Sequence, residues 1–367
     1  MLRFTSCCVA RQCLLKVGAL LMAVAITAMG ASFAQAQPKT PKKVLDFYTY
    51  ADVAKAEQEG ELVLYTHDNE AGLVSLLNHF KKDFPKFKTS YTRAQTGSLY
   101  SKITSERSAG RFLADVLQLS DMAPAFDFQK RGGYEQYVSP EAKFYAPPYL
   151  SNPVGSFFWA SVLPAGIAYN KNKVKPQDAP KGWKDLIDPK WKDSMSCKVS
   201  SSGSQFSQWY ALRNLYGHDF WKEFAKQRPR GFDSRIQLFD RLAKGEDKIC
   251  AVAEYAAVTL YLSKGAEIAF VAPADGLTVS LVLLGAVSKA PHPEAAKLFI
   301  DWAMSPRGQA VYQNDKDLAY SSVRTDAPPM PDGKRMSDFK LLFPADWKDY
   351  IAQQETFTKE WNAILGL

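Results

Sequence analysis

Apolar residues along the chain follow two alternating patterns, short continuous runs and runs with helical spacing. The continuous run over 62–65 is typical of a strand buried on both faces, and apolar residues recur at helical spacing over 73–84. The alternation restarts after Trp183 and ends in helices that begin near Pro293 and Pro306. Strands that alternate with helices predict an α/β fold of two units in sequence, each a mostly parallel sheet flanked by helices.

The first 36 residues differ from the rest of the chain. They carry three basic residues and no acidic residue, then an apolar run over 17–33 and a small-residue motif at 34–36. This order is typical of a secretory signal peptide, so we predict cleavage before Gln37 and a periplasmic mature protein. The alternative is a membrane anchor, for which the apolar run is short.

Net charge narrows the choice of partners. The chain carries a formal charge of +8, and removal of the three basic residues of the leader lowers it to 8 − 3 = +5. Blocks of Lys and Arg with interleaved aromatic residues, which nucleic-acid-binding proteins use, do not stand out in the sequence. We therefore expect no nucleic-acid partner, and the residual positive charge weakly favours anionic ligands.

After the leader, cysteine occurs only at Cys197 and Cys250, each at the start of a strand-like stretch. An oxidising compartment favours pairing of two such thiols. Two alternatives stay open, a disulfide between neighbouring strands or two separate buried thiols. Neither cysteine has the sequence spacing of a metal site.

Ser200–Ser204 is the strongest local indication of a binding site. Its three consecutive serines, a glycine and a fourth serine stand where a helix is predicted to begin. Hydroxyl groups and free backbone N–H groups at a helix N-terminus suit a phosphate, phosphonate, sulfonate or carboxylate. The alternative is a serine-rich turn with one helix cap. The residues of this segment that we expect to bind ligand are Ser200, Ser202, Gly203 and Ser204.

Polar residues also follow the other predicted strands. Ligands of α/β proteins bind beyond the carboxyl ends of the strands, so these residues are candidates for the same site. Tyr169 is added as a possible aromatic wall, although such residues more often belong to a core. The further candidates are Thr66, His67, Asn69, Gln95, Thr96, Ser98, Asp121, Tyr169, Glu254 and Tyr255.

Known catalytic motifs do not occur in the sequence. We find no nucleophile elbow, no zinc-protease helix motif and no phosphate loop with its lysine. The sequence therefore predicts a binding protein that uses no cofactor and no metal. A secreted hydrolase or transferase on a similar α/β frame is the alternative from another class.

Several segments together resemble the periplasmic solute-binding proteins of ABC importers, in the branch that includes ferric-iron, phosphonate, polyamine and thiamine binders. The resemblance spans roughly 61–325, and each motif is weak by itself while their order is specific. The segments that carry it are 64–66, 167–171, 183–192, 200–204, 264–267 with 273–276, and 296–300 with 305–309.

The resemblance implies a type II periplasmic-binding-protein fold, in which two lobes are joined by a hinge of two crossing segments. The first lobe would comprise 61–168 and 280–325, and the second 169–279. Residues 37–60 would lead into the first lobe, and 326–367 would form a C-terminal tail packed on the lobes. A solute would bind in the cleft, and a monomer would deliver it to a permease in the inner membrane.

The resemblance also bears on the ligand. Ferric-iron members carry two adjacent tyrosines after the strand that corresponds to 249–253, whereas this chain reads Glu254-Tyr255-Ala256-Ala257. Because the tyrosine pair is absent, we expect a small anionic organic solute such as a phosphonate, a sugar phosphate or an amino-carboxylate. Ferric iron held without the usual pair is the alternative.

Overall fold

Strands and helices alternate along the chain as the apolar pattern predicts. The computed structural model describes residues 40–330 and 333–367, and the predicted signal peptide lies outside the described residues. The strands of the described part are β1 (Lys42–Val44), β2 (Phe47–Thr49), β3 (Glu61–Thr66), β4 (Lys88–Arg93), β5 (Val116–Leu119), β6 (Phe158–Asn170), β7 (Met195–Lys198), β8 (Arg230–Phe232), β9 (Ile249–Glu254), β10 (Ile268–Val271), β11 (Leu277–Ala286) and β12 (Leu341–Leu342).

Helices fill most of the intervals between these strands. No helix in the described part of the chain is both long enough and apolar enough to cross a membrane. The α-helices are α1 (Val53–Glu59), α2 (Glu70–Asp83), α3 (Thr96–Ser108), α4 (Met122–Lys130), α5 (Gly203–Tyr216), α6 (Asp219–Lys226), α7 (Arg235–Lys244), α8 (Tyr255–Ser263), α9 (Pro293–Met304), α10 (Pro306–Asn314), α11 (Trp347–Ala352) and α12 (Gln354–Leu365), and short 3-10 helices lie at Pro140–Phe144, Pro147–Tyr149, Pro176–Asp178, Trp183–Ile187, Pro189–Trp191 and Met336–Asp338.

Short polar side chains begin several of the helices that follow strands. Asn69, Asp121, Ser202 and Ser234 each accept a hydrogen bond from a backbone N–H group in the first turn of α2, α4, α5 and α7. Such caps satisfy donors that the helix itself leaves unpaired. The local sequence therefore sets where each of these helices begins, directly beyond a strand end.

One mixed sheet runs through the protein in the order β4-β3-β5-β11-β6-β9-β7-β8. β3 pairs in parallel with β4 and β5, and β7 pairs in parallel with β8 and β9. Between these two parallel groups lie the long strands β6 and β11, which pair antiparallel with each other. β10 adds to β6, and β12 adds to β11. The two predicted α/β units therefore share one continuous sheet, and β6 and β11 connect them.

Three hydrophobic cores cover this sheet. The first core includes Phe80 and Trp302 and packs around β3, β5 and β11. The second core includes Trp209 and Trp221, and the third core includes Phe239. Ile249 and Ala251 of β9 belong to the second core and Cys250 between them belongs to the third, so these two cores lie on opposite faces of the sheet there. The residue boundaries predicted for the lobes, the lead-in and the tail stay predictions.

The C-terminal segment from β12 to α12 contacts both ends of the molecule. The rings of Phe343 and Trp347 pack against Trp159 of β6, with centroids 5.1 and 5.7 Å apart, at the first core. Phe357 and Trp361 of α12 are fully buried in the second core. The segment is therefore part of the folded structure on both sides of the connecting strands.

Strand register decides between the two alternatives for the cysteines. β7 and β9 are neighbours, but Ser196, not Cys197, lies opposite Cys250. Because side chains alternate between the faces of a sheet, Cys197 and Cys250 lie on opposite faces, in the second and third cores. Both are free and buried thiols, so the disulfide alternative is wrong for this structure.

We expect both thiols to be free in the secreted protein as well. Denatured without reductant, the chain from Gln37 should show two reactive thiols in a chromogenic disulfide-exchange assay. The native protein should react slowly, because burial raises the pKa of both the Cys197 and the Cys250 thiol. Cys197→Ser and Cys250→Ser should each leave one thiol, and a denatured wild-type chain with no reactive thiol would contradict the register argument.

Candidate ligand-binding site

The carboxyl ends of the two parallel groups point toward each other. β5 ends at Leu119, opposite Leu283 of β11. β9 ends at Glu254, opposite Ala165 of β6, which itself lies opposite Thr278 of β11. β5 runs antiparallel to β11 and β9 runs in the same direction as β11, so both ends face the stretch between Thr278 and Leu283. This stretch is roughly 17 Å long at the rise of an antiparallel strand, and we expect the ligand cleft to lie over it.

One pair of residues on β6 and β11 lies between the two strand ends. Leu163 and Ser280 lie opposite each other, and they are the partly exposed residues of β6 and β11, whose other residues are buried. The hydroxyl of Ser280 has no hydrogen-bond partner within the described residues. This oxygen is buried, so it is an unpaired polar atom beneath the surface that the sequence pattern did not single out.

We call the residues after β3, β4 and β5 the first wall of the expected cleft, and those after β7, β8 and β9 the second wall. Asp68, which follows β3, is the centre of the first wall. Its carboxylate is buried and accepts hydrogen bonds from Gln118 Nε2 and from the Tyr320 hydroxyl, each at 2.7 Å. Arg93 Nε donates to the main-chain oxygen of Asp68 at 2.7 Å, and His67 Nε2 lies 3.8 Å from Asp68 Oδ1. The loop after β3 is therefore held rigidly, with His67 at its partly exposed edge.

A second polar group on the same wall follows β5. The hydroxyls of Thr96 and Ser120 lie 2.8 Å apart, which joins the start of α3 to the end of β5. Asp121 accepts a hydrogen bond from the Ala123 N–H at 3.0 Å, and burial raises the pKa of its carboxyl group. Thr96 and Asp121 therefore stand together at the carboxyl end of β5, as predicted from their positions.

Glu254 is the centre of the second wall, at the end of β9. Its buried carboxylate accepts a hydrogen bond from Ser204 Oγ at 3.0 Å, and Lys198 Nζ and Arg235 Nη1 lie 3.6 and 3.3 Å from its oxygens. Burial by itself would raise the pKa of Glu254, but the two cations and the Ser204 hydroxyl outweigh burial and lower the pKa. Two positive charges therefore surround one carboxylate that is ionised at neutral pH.

Residues Ser200–Ser204, here called the serine segment, lead into the first turn of α5 beside Glu254. Ser202 Oγ caps α5 and lies 3.0 Å from Ser204 Oγ. Gly203 is exposed, and no other atom lies within 4 Å of where its Cβ would stand, so a ligand can approach the backbone there. Ser200 donates its hydroxyl away from Glu254, to Asn362 Oδ1 of α12 at 2.8 Å. Ser202, Gly203 and Ser204 are thus close to Glu254, whereas Ser200 is used for packing.

The two walls are close to each other at Tyr320. Burial and the charge of Asp68 raise the pKa of the Tyr320 hydroxyl, and the positive charge of Arg235 from the opposite wall opposes the rise. Tyr255, at the start of α8, lines a cavity of about 200 Å³ together with Tyr320. Tyr320, which donates to Asp68, therefore lies within the electrostatic reach of Arg235, which pairs with Glu254.

Four predicted ligand residues form no hydrogen bond with the Asp68 or Glu254 carboxylates: two hold the local backbone or core, and two are exposed at the start of α3. Thr66 is fully buried and donates its hydroxyl to Gln118, below the loop of Asp68. Both ends of the Asn69 side chain are engaged, by the Gly72 N–H and the Asp317 carbonyl. Gln95 and Ser98 are exposed at the start of α3, and Gln95 makes no side-chain cap.

Tyr169 is not part of the cleft. It lies opposite Ile249, the first residue of β9, whereas Glu254 is the last. The four residue steps along β6 from Tyr169 to Ala165 span roughly 14 Å. Tyr169 is buried in the second core, so the structure places it apart from the other predicted ligand residues.

Sequence reasoning missed two cations of the site. Lys198 is the last residue of β7, so the rule that ligands bind at carboxyl strand ends could have found it. Arg235 begins α7, and nothing in its local sequence points to Glu254. Its position depends on the packing of α7 against the second parallel group.

Carboxylates, histidines and thiols do not form a recognisable metal site here. Within residues 40–330 and 333–367, no group of three or more His, Cys, Asp or Glu side chains could hold a metal ion. The carboxylate oxygens of Asp68 already accept hydrogen bonds from two neutral donors. Of the predicted residues, His67, Asp121, Glu254 and Tyr255 have metal-binding side chains, and they do not converge into such a group.

The chain belongs to a family of bacterial extracellular solute-binding proteins, whose sequence model matches residues 115–341. An uncharacterized protein of Haemophilus influenzae is 26% identical over 321 residues, which cover 83% of this chain and 91% of that protein. The predicted membership in the solute-binding proteins of ABC transporters is thereby confirmed. Proteins of this family are solute-binding transport proteins that act outside the cytoplasm and deliver small ligands to ABC permeases.

Solved structures confirm the predicted fold class. The periplasmic binding protein AfuA of Actinobacillus pleuropneumoniae, with exogenous fructose-6-phosphate bound, superposes with a TM-score of 0.68 at 23% identity, covering 84% of this chain and 99% of that chain. Iron-bound HitA of Pseudomonas aeruginosa gives a TM-score of 0.70 at 19% identity, with the same coverage. Both support the type II periplasmic-binding-protein fold, and at these identities they establish the fold alone.

Proposed function

We propose that this protein captures a small anionic organic solute in the cleft and delivers it to an ABC permease in the inner membrane. A phosphonate, a sugar phosphate or an amino-carboxylate fits this description. In this proposal the protein acts as a periplasmic monomer, binds no nucleic acid and leaves its ligand chemically unchanged. Ligand contacts come from both walls of the cleft.

The proposal rests on the position of Lys198 and Arg235 beside Glu254, next to the first turn of α5. Together with Glu254 they leave one positive charge in excess. The first-turn N–H groups of α5 and the hydroxyls of Ser202 and Ser204 add donors at the same place. Glu254 holds the two cations in position, and the ligand anion takes the donors that face the cleft.

The opposite wall favours a ligand that also carries hydrogen-bond donors. Asp121 is a partly buried carboxylate whose described hydrogen bond comes from one backbone N–H group. Thr96 and Ser120 add hydroxyls beside it. An ammonium group or sugar hydroxyls at the far end of the ligand would satisfy these acceptors. This is why aminophosphonates and sugar phosphates fit better than simple anions.

Ferric iron is the alternative ligand, favoured by Tyr255, Tyr320 and His67 near one cleft and by iron-bound HitA among the structures of this fold. Two features oppose it here. Fe(III) prefers deprotonated oxygen donors, whereas the pKa of Tyr320 is raised and its hydroxyl donates to Asp68. Lys198 and Arg235 would also repel a trivalent cation.

A thermal-shift screen of the chain from Gln37 tests the proposal. The panel contains phosphonates, sugar phosphates, amino-carboxylates, polyamines, thiamine, and Fe(III) with and without carbonate. A ligand that binds the folded state alone raises the melting temperature. We expect a shift with an organic anion and recovery of that compound unmodified. A shift with Fe(III) alone would overturn the proposal, and conversion of the compound would favour the hydrolase alternative.

The double variant Ser202→Ala with Ser204→Ala should weaken binding of the anion found in this screen. Each hydroxyl contributes about 0.5–1.5 kcal/mol as a hydrogen bond, so the two together predict a loss of roughly 5- to 150-fold. Isothermal titration calorimetry measures the dissociation constant. Ser201→Ala is the matched control, because Ser201 is exposed and donates to Asp233. Equal affinities of the double variant and wild type would contradict the role of these hydroxyls.

A further inference from the structure

The C-terminal helix α12 lies directly behind the serine segment. Trp361 Nε1 donates to the main-chain oxygen of Lys198 at 2.7 Å. Asn362 Oδ1 accepts the hydroxyl proton of Ser200 at 2.8 Å. These two hydrogen bonds join consecutive residues of α12 to the segment 198–200, on the side away from Glu254.

α12 is itself firmly anchored. Phe357 and Trp361 are fully buried, and the Trp361 ring packs against Trp221 and Phe224 with centroids 5.1 and 5.9 Å away. Trp209 Nε1 of α5 donates to Glu360 Oε2 of α12 at 3.2 Å. A buried aromatic cluster therefore fixes α12 against the helix that the serine segment begins.

The serine segment has few apolar contacts of its own. Val199, Ser200 and Ser202 are half-buried, and Ser201 is exposed. Short serine-rich stretches carry little apolar surface to bury, so their conformation depends on hydrogen bonds from neighbouring elements. The direction of the Lys198 side chain and of the first turn of α5 follows from the backbone over 198–202.

We infer that Trp361 and Asn362 are positioning residues for the ligand site: they hold the backbone of Lys198–Ser202 so that Lys198, Ser202 and Ser204 converge on the bound anion. Neither residue contacts the ligand. α12 also lies beyond residue 341, where the match to the family model ends. The inference rests on the proposed function for its ligand, but the ordering of the segment is measurable without any ligand.

Hydrogen exchange of the ligand-free protein tests the ordering. The variants are Trp361→Phe, which keeps an aromatic ring and removes the donor, and Asn362→Ala. Each should speed exchange of the Ser202 and Gln205 amides about five-fold, as expected for one lost hydrogen bond, while amides of β3 stay unchanged. Asn362→Asp keeps an acceptor oxygen and should restore slow exchange. Lys359→Ala, on the exposed side of α12, is the control.

Calorimetric titration with inorganic phosphate and with fructose 6-phosphate tests the consequence for binding. If wild type binds either probe, Trp361→Phe should weaken its binding about five-fold, and the loss of buried ring volume should also lower the melting temperature. Unchanged exchange of the Ser202 and Gln205 amides in both variants would overturn the inference. Faster exchange of these amides with unchanged affinity for a probe that wild type binds would overturn it as well. If exchange becomes faster but wild type binds neither these probes nor any anion of the thermal-shift panel, the positioning stands and the proposed function fails. Should Trp361→Phe not fold, Ser200→Ala removes the Asn362 bond from the other side.

Discussion

Replacement of Lys198 by methionine is expected to weaken binding of the anionic ligand roughly 10- to 150-fold. A hydrogen bond to a charged group contributes about 1.5–3 kcal/mol, which corresponds to this range. The Lys198 side chain is 12% exposed, so solvent screens its charge little. Methionine keeps the apolar stem and removes the charge. Calorimetric titration at fixed ionic strength measures the effect.

Two further variants make this experiment specific. Lys198→Arg keeps the positive charge and should retain most of the affinity. Arg235→Met should cost less than Lys198→Met, because the Arg235 side chain is 37% exposed and its charge is screened more. Unchanged affinity in Lys198→Met would contradict the anion site. Tighter binding of Fe(III) in the same variant would favour the iron alternative, since the repelling cation has been removed.

Replacement of Arg324 by methionine should be the most destabilising change among those considered. Arg324 and Glu141 form an ion pair at 2.7 Å, with side chains 1% and 2% exposed. Arg324 Nη1 also donates to the main-chain oxygen of Met304 at 2.8 Å. Loss of the cation leaves Glu141 buried without its partner, which costs about 3–5 kcal/mol. The midpoint of urea unfolding should fall accordingly.

Arg131→Met is the matched control for this prediction. Arg131 pairs with Asp127 on the surface, where both side chains are largely exposed, and its loss should leave the urea midpoint nearly unchanged. The double variant Arg324→Met with Glu141→Leu removes both buried charges and should recover a large part of the stability. Equal midpoints for Arg324→Met and Arg131→Met would show that the buried pair contributes no more than a surface pair.

The apolar pattern predicted the elements around the cleft well. The runs at 62–65 and 249–253 are strands, and α2 and α5 begin at the predicted polar residues. These features depend on neighbours within one or two turns of chain, through side-chain periodicity and capping. The same reasoning placed Asp121, Ser202, Ser204 and Glu254 at or beyond the carboxyl ends of strands, where they lie in this structure.

The sequence did not indicate features that depend on strand register. The sequence left open whether the strands of Cys197 and Cys250 are neighbours; they are, yet a one-residue offset puts the two thiols on opposite faces. Tyr169 lies on β6, one of the two strands that connect the parallel groups, but it pairs with the first residue of β9, and Glu254 is the last. A shift of one residue reverses which side chains share a face, and no local pattern specifies that shift.

The sequence by itself determined the alternation of strands and helices, the positions of the capped helix starts and the family to which the chain belongs. Tertiary structure alone decided that the two parallel groups share one sheet and that Arg235, Lys198 and Ser204 surround Glu254. It also decided that α12, more than 150 residues away along the chain, supports the serine segment. The reason is physical: caps and periodicity act between near neighbours, whereas the site is built from residues that only strand pairing and core packing bring together.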